Sequence, residues 1–140
     1  MNINEIFSEN DILHVPGSSK EDPFNCSNIT LTGNGYLGYR GTFPNWKKDR
    51  YCGCTVSNTY DLADGKWKEL CNVPNALYFS LSYKGQELDI INDNCESYSQ
   101  SLNYRYGITR GAGKWKTQPA PEPQEISFNW ERFASYEDPH

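Results

Sequence analysis

The residues best suited to chemistry in this chain are two pairs of carboxylates, Asp61 with Asp64 and Asp89 with Asp93. Two carboxylates can cleave a glycosidic bond when they face each other across a sugar at about 5–5.5 Å or about 6.5–9.5 Å. Both pairs flank predicted turns, where acidic side chains usually cap backbone groups or face solvent. We therefore predict no catalytic residue among them.

Nucleophilic and metal-based chemistry find little support in the sequence. The two histidines, His14 and His140, do not lie in a nucleophile motif. The close pair Cys52-Gly53-Cys54 has no second pair after it, whereas a structural zinc site uses four ligands. Alternate positions of a strand share one face, so we predict two small buried thiols at 52 and 54. We predict no metal and no cofactor.

Charge and composition argue against several classes of protein. The formal net charge is −5 and the pI is about 5.0, which disfavours binding to nucleic acid or to an anionic membrane. No apolar run reaches the roughly 18 residues of a spanning helix, and the first residues do not resemble a secretory signal. The odd count of five cysteines fits reduced thiols. We therefore expect a cytoplasmic protein without a nucleic-acid or membrane partner.

Length and aromatic content predict one all-β domain over residues 1–140. Aromatic residues make up 14% of the chain, and they favour strands. Turn residues recur about every 10–15 residues between the predicted strands, a spacing typical of an antiparallel β-sandwich. A Greek-key arrangement of the immunoglobulin type is the alternative. The predicted strands are 28–32, 36–40, 52–60, 77–83, 87–91, 95–106 and 126–136.

Four segments between the strands are predicted to be loops or turns. Residues 1–25 form an extended N-terminal segment with a helical turn at 4–7. The dipeptides Asp64-Gly65 and Lys84-Gly85 predict hairpin turns, and the second of them joins two antiparallel strands. Residues 107–125 form a long irregular loop, because glycine and proline recur throughout this stretch.

A glycine-rich run, Gly33-Asn34-Gly35-Tyr36-Leu37-Gly38-Tyr39-Arg40-Gly41, predicts a turn that enters a bent strand. It resembles the opening segment of glycoside hydrolase family 65, the α-glucoside phosphorylases and hydrolases. Three later segments resemble the same family in order and rough spacing, and the resemblance covers roughly residues 30–140. They are Asn58-Thr59-Tyr60-Asp61, Glu69-Leu70-Cys71-Asn72-Val73-Pro74-Asn75, and Glu131-Arg132-Phe133-Ala134-Ser135 with Asp138-Pro139-His140.

The resemblance implies a parent enzyme with several domains. Family members have an N-terminal β-sandwich, a helical linker, a catalytic (α/α) barrel and a small C-terminal sheet. A general acid in the barrel protonates the glycosidic oxygen, and inorganic phosphate or an activated water attacks with inversion. The matched segments correspond to part of the large N-terminal sandwich. We therefore expect this chain to be non-catalytic and truncated before the barrel.

Four residues are candidates for binding a ligand or an interface, namely Arg40, Trp46, Trp67 and Trp115. The planar guanidinium of Arg40 could hold a sugar hydroxyl or the barrel, and the structural alternative is that it anchors its strand by pairing with a carboxylate or a carbonyl. The three tryptophans have polar or charged neighbours, and their rings could stack on a sugar. The aromatic and cationic stretch 43–51 is predicted to reach the barrel or another subunit.

These observations predict the non-catalytic N-terminal β-sandwich region of an inverting α-glucoside phosphorylase. We expect it to pack on the barrel, to support the active site and dimerisation, and to belong to a homo-oligomer. The parent would act on an α-glucoside such as maltose, trehalose, kojibiose or nigerose. The alternatives are a stand-alone carbohydrate-binding sandwich, the same region of a family hydrolase, and an interaction module without a ligand.

Overall fold

The computed structural model describes residues 11–14, 23–45, 52–91, 95–118 and 122–137. Within these ranges the chain forms ten strands and one short helix. The predicted all-β class is therefore confirmed. In chain order the elements are β1 (Ile12–His14), α1 (Pro23–Ile29), β2 (Thr32–Gly33), β3 (Leu37–Tyr39), β4 (Cys54–Ala63), β5 (Trp67–Asn72), β6 (Ser82–Tyr83), β7 (Gln86–Glu87), β8 (Cys95–Asn103), β9 (Ile108–Lys116) and β10 (Glu125–Arg132).

All strand pairs in the described ranges are antiparallel. The first sheet has the order β1-β8-β9-β10, the second has the order β2-β3-β4-β5, and β6 pairs with β7. Strand β10 is thus an edge of the first sheet within the described residues. Among the described residues β10 pairs only with β9, so its other edge is open to a partner strand.

The hydrophobic core lies against the inner face of the first sheet. Inward positions of β8, β9 and β10 alternate with outward polar positions, as expected for a sheet with one solvated face. The tryptophans of β9 and β10 fill most of this face. The buried core residues are Cys26, Phe43, Leu88, Ile90, Cys95, Tyr98, Trp115 and Trp130, with Ile126 and Phe128 packed against them.

The prediction of an irregular loop over 107–125 is wrong for its first half. Residues Ile108–Lys116 form β9, a central strand of the first sheet. The glycine at position 111 is required by a close approach, because a Cβ atom there would collide with the Trp130 ring and the Tyr98 hydroxyl. Gly111 lies directly opposite Trp130 in the register. The glycines that suggested a loop therefore make room for neighbouring aromatic rings.

The predicted strand at 28–32 is wrong in its first part, because residues Pro23–Ile29 form α1. Proline suits the first position of a helix, because an N–H at that position would have no acceptor within the helix. Cys26 and Ser27 within this helix and Thr30 directly after it are buried, and the Thr30 hydroxyl donates to the Cys26 carbonyl over 2.8 Å. Tertiary packing of one helix face thus outweighs the β propensity of Ile29 and Thr30.

Both predicted hairpin turns are confirmed. Asp64 and Gly65 have φ angles of 52° and 68°, and Lys84 and Gly85 have φ angles of 47° and 78°, the geometry of type I′ turns. The strands around the second turn are shorter than predicted, since the pairing is limited to β6 and β7. Residues 77–81 run outside any strand because the Phe79 N–H donates to the Pro44 carbonyl (3.1 Å) instead of to a strand partner.

None of the five cysteines forms a disulfide, as predicted. The prediction of two buried thiols is confirmed for Cys54, which is buried. Cys52 is half-buried. Burial raises the pKa of the Cys54 thiol above its usual value, which keeps it protonated at neutral pH. No helix in the described ranges is long and apolar enough to cross a membrane.

Candidate interaction surface

A groove of about 250 Å³ runs beside the end of the edge strand β10. One wall consists of Pro44, Leu77 and Phe79, and the other consists of the consecutive residues Trp130, Glu131, Arg132 and Phe133. We call this feature the β10 groove. Because the edge of a sheet is a natural place for another polypeptide to bind, the groove is the best candidate for an interaction site in the described chain.

The walls of the β10 groove carry exposed apolar side chains. Leu77 is 39% exposed, Phe79 is 40% exposed and Phe133 is 64% exposed. Large apolar side chains that cluster at the surface mark interaction sites more often than isolated ones do. The open face of the groove is therefore apolar.

The inner end of the β10 groove holds a buried cation. Arg132 is 8% exposed, and its guanidinium carbon lies 4.4 Å from the ring centre of Tyr39 and 4.6 Å from that of Trp130. Its Nη2 donates to the Thr42 carbonyl over 2.9 Å, whereas the buried Nε has no acceptor among the described residues. No carboxylate in the described ranges forms an ion pair with Arg132. Burial lowers the pKa of Arg132 below its usual value.

Asn75 connects the two sides of the groove. Its Oδ1 accepts a hydrogen bond of 2.8 Å from the Tyr39 hydroxyl and one of 3.2 Å from the Leu77 N–H. Tyr39 in turn packs on Arg132. The position of the apolar wall at Leu77 is thus coupled to the position of the buried guanidinium through a single amide side chain.

Arg40, Trp67 and Trp115, the candidates for ligand binding that the structure describes, lie in different parts of the fold. Arg40 is half-buried and lies 4.4 Å from the ring centre of Phe24, and its backbone N–H donates to the Gly53 carbonyl over 2.8 Å. Trp67 is 57% exposed at the end of the β4–β5 hairpin. Trp115 is 1% exposed in the core of the first sheet, so its ring offers no face to a sugar. Trp46 lies outside the described residues.

Two of the acidic residues considered for catalysis accept local hydrogen bonds. The Asp61 carboxylate accepts from the Leu62 N–H over 2.7 Å, and the Asp89 carboxylate accepts from the Ile91 N–H over 3.0 Å. Asp93 lies outside the described residues. No group of three His, Cys, Asp or Glu side chains within the described ranges could hold a metal ion.

Arg132 was not predicted as a site residue, although the sequence contains a signal for its burial. In β10 the positions facing the core are 126, 128, 130 and 132, because side chains alternate along a strand. The first three are Ile126, Phe128 and Trp130, so the same period places an arginine inside at the fourth. An arginine that continues an apolar period-two series indicates a buried cation, and such a residue requires an explanation.

The family-model comparison identifies the origin of the fold. Residues 17–140 match the domain described as "Glycosyl hydrolase family 65, N-terminal domain". The chain belongs to this family. Of the segments that carried the resemblance, 131–135 supplies Arg132 of the β10 groove, and 69–75 supplies Asn75, which accepts a hydrogen bond from the groove residue Leu77.

Curated relatives of this family 65 domain are phosphorylases. The chain is 39% identical over 110 residues to a 1,2-alpha-glucosylglycerol phosphorylase of Bacillus selenitireducens, covering 79% of this chain and 14% of the relative. It is 33% identical over 113 residues to a nigerose phosphorylase of Lachnoclostridium phytofermentans, covering 81% of this chain and 14% of the relative. The chain therefore spans about one seventh of the length of these relatives.

A solved structure shows the same fold. It is described as a putative kojibiose phosphorylase from human microbiome, and it superimposes with a TM-score of 0.71 at 18% identity. The superposition covers 88% of the family 65 domain described here and 17% of that chain. The antiparallel β architecture predicted from the sequence is confirmed by this likeness.

Proposed function

We propose that this chain is the non-catalytic N-terminal β-sandwich region of an inverting α-glucoside phosphorylase, and that it packs on the catalytic barrel through the β10 groove. The observation that carries the proposal is the apolar groove beside the open edge of β10. The phosphorylase relatives support the type of parent enzyme. Cytoplasmic location belongs to the same proposal and is supported by five cysteines without a disulfide.

The parent reaction would transfer a glucosyl group to phosphate. A phosphate oxygen attacks the anomeric carbon, the bond from that carbon to the glycosidic oxygen breaks, and a general acid in the barrel protonates the leaving oxygen. The products are β-glucose 1-phosphate and the released alcohol or sugar. The names of the relatives favour 1,2-α-glucosylglycerol, nigerose or kojibiose as substrates to test first.

The described domain would support this reaction without touching the reacting atoms. Among the described acidic side chains, Asp61 and Asp89 accept hydrogen bonds from nearby backbone N–H groups, and Glu131 forms an ion pair with Arg110 on the outer face of the first sheet. The apolar groove, in contrast, has surface available for packing. We propose that it holds one side of the barrel in place and that β10 also contributes to dimerisation.

A reconstitution experiment tests the proposal. The isolated chain should release no glucose 1-phosphate from phosphate and any of the three substrates. Mixed with a glucosylglycerol phosphorylase that lacks its own matching region, it should restore activity. A Phe133→Ser variant should restore much less, whereas Leu62→Ser, which alters an exposed leucine away from the groove, should restore as much as the unchanged chain. Activity of the isolated chain, or equal rescue by both variants, would contradict the proposal.

A carbohydrate-binding module is the second candidate, and one observation favours it. Trp67 is 57% exposed. An exposed indole ring can stack on a sugar because one face of the sugar ring is apolar. Calorimetric titration of the chain with kojibiose and nigerose tests this function, with Trp67→Ala as the variant. A heat of binding that disappears with Trp67→Ala would establish the module.

A family hydrolase as parent would instead release glucose without consuming phosphate.

A further inference from the structure

We propose that Arg132 binds a carboxylate, supplied by an Asp or Glu side chain of the parent polypeptide outside this chain and flanked there by an apolar residue. The inference rests on the proposed function, because the partner is the segment that fills the β10 groove. Its starting point is a cation that is 8% exposed, lines the groove and has no counter-charge among the described residues.

A buried charge is costly unless it is paired and hydrogen-bonded. Tyr39 and Trp130 each lie within 5 Å of the guanidinium carbon, and such contacts stabilise a cation only in part. The Thr42 carbonyl satisfies Nη2 with a neutral acceptor. The Nε–H has no acceptor within the described ranges, so the planar edge of the guanidinium retains donor capacity.

A carboxylate is the acceptor that matches this donor edge. Its two oxygens can accept parallel hydrogen bonds from one guanidinium, and the low dielectric of a buried site strengthens the attraction. The adjacent Glu131 is already engaged, because it forms an ion pair with Arg110 across the outer face of the sheet. Since Glu131 is engaged and no other described carboxylate pairs with Arg132, we assign the carboxylate to a segment that enters the groove.

The shape and walls of the groove favour a side chain over a free metabolite. Its volume of about 250 Å³ is below the roughly 300–1,000 Å³ typical of sites for small molecules. Leu77, Phe79 and Phe133 give it apolar walls, which suit apolar neighbours of the carboxylate. Arg132 is the one cationic residue that lines the described groove, whereas phosphate sites usually combine several donors and cations.

Two blocked peptides serve as probes of this chemistry. One contains Leu-Glu-Phe between alanines, and its partner contains Leu-Gln-Phe. Titration of the isotope-labelled chain, followed by the NMR signals of the Arg132 Nε–H and the Trp130 indole N–H, should show at least a tenfold lower Kd for the glutamate peptide. Arg132→Met should remove that preference, and Arg105→Met, which alters an exposed arginine outside the groove lining, should leave it unchanged.

The outcomes separate this inference from the proposed function. Equal binding of both peptides that is lost in Phe133→Ser would overturn the carboxylate proposal and retain the groove as a packing surface. Binding of neither peptide would overturn the carboxylate proposal, and the reconstitution experiment would still decide the packing role. Displacement of the glutamate peptide by millimolar phosphate would overturn the carboxylate assignment in favour of phosphate. Because the peptide pair is compared on the unchanged chain, a folding defect of Arg132→Met leaves the test decisive.

Discussion

Gln100 Nε2 donates a hydrogen bond of 2.6 Å to Thr30 Oγ1, which joins the centre of β8 to the end of α1. The same Nε2 donates to the Gly41 carbonyl over 2.6 Å, and the Tyr98 hydroxyl donates to Gln100 Oε1 over 2.7 Å. Thr30 and Gln100 are almost fully buried. Buried hydrogen bonds therefore connect β8 to the end of α1 and to the backbone at Gly41.

Removing one member of this network should lower the free energy of unfolding, because its buried partners cannot form replacement hydrogen bonds with water. We expect Thr30→Val to lower the free energy of unfolding by about 1–3 kcal/mol, the penalty for a buried polar group that loses its partner. Gln100→Leu should have a similar effect, and the double variant should show a coupling of about 0.5–3 kcal/mol. Urea unfolding measures all three. Thr59→Val, at a half-exposed site, is the control and should change stability by less than about 0.5 kcal/mol.

A methyl group at Gly111 should disrupt the first sheet, because it would collide with the Trp130 ring. Overpacking of this kind usually costs about 1–3 kcal/mol or more. We expect Gly111→Ala to unfold at lower urea concentration and to change the near-UV signal of its tryptophans. The neighbouring Ala112 faces the other side of β9, so Ala112→Ser should behave like the unchanged chain. Equal stability of Gly111→Ala would show that Trp130 can move aside.

Tyr98 should make the domain sensitive to alkali. Burial is the main cause that raises the pKa of its hydroxyl well above the ordinary value of 10.0. Above about pH 10 the unfolded chain ionises this group and the folded chain does not, so stability falls as the pH rises further. Tyr98→Phe should be less stable at pH 7, because Gln100 loses a donor, and its stability should fall less steeply between pH 10 and 11. Urea unfolding at several pH values, with Tyr104→Phe as an exposed control, measures the difference.

Asn58 occupies a left-handed conformation with φ of 65° where the register of β4 and β5 shifts. Asparagine and glycine tolerate this region, and a β-branched side chain does not. We expect Asn58→Gly to retain stability within about 0.5 kcal/mol and Asn58→Val to lose about 1–2 kcal/mol. Thermal and urea unfolding of the two variants provide the comparison. If Asn58→Val were as stable as Asn58→Gly, the bulge would not depend on this conformation.

The open edge of β10 should favour self-association of the isolated chain. Burial of Phe133 and its apolar neighbours between copies would remove apolar surface from water. Analytical ultracentrifugation over a wide range of concentrations should show a monomer–dimer equilibrium that shifts toward monomer in Phe133→Ser but not in Leu62→Ser. A monomer at every concentration would argue against a role of this edge in dimerisation.

The parts of the fold that depend on local chemistry were predictable from the sequence. The Asp64-Gly65 and Lys84-Gly85 turns are examples, because type I′ geometry selects these residues directly. Strand β9 was not predictable in this way. Its glycine at 111 makes room for the Trp130 ring, which is close in space and distant in sequence. The β10 groove was not predicted because it also depends on contacts between residues far apart in sequence. Its wall at Leu77 and Phe79 is positioned by hydrogen bonds to Asn75 and Pro44, and not by strand pairing in a hairpin.

The bond from Arg132 to the Thr42 carbonyl spans 90 residues of sequence. At about 5–20 residues per second, a ribosome needs roughly 5 to 20 s to add that length of chain. Throughout this interval the segment around Thr42 has been synthesised without the arginine that completes its bonding. The buried site around Thr42 can therefore complete this hydrogen bond only after β10 has been synthesised.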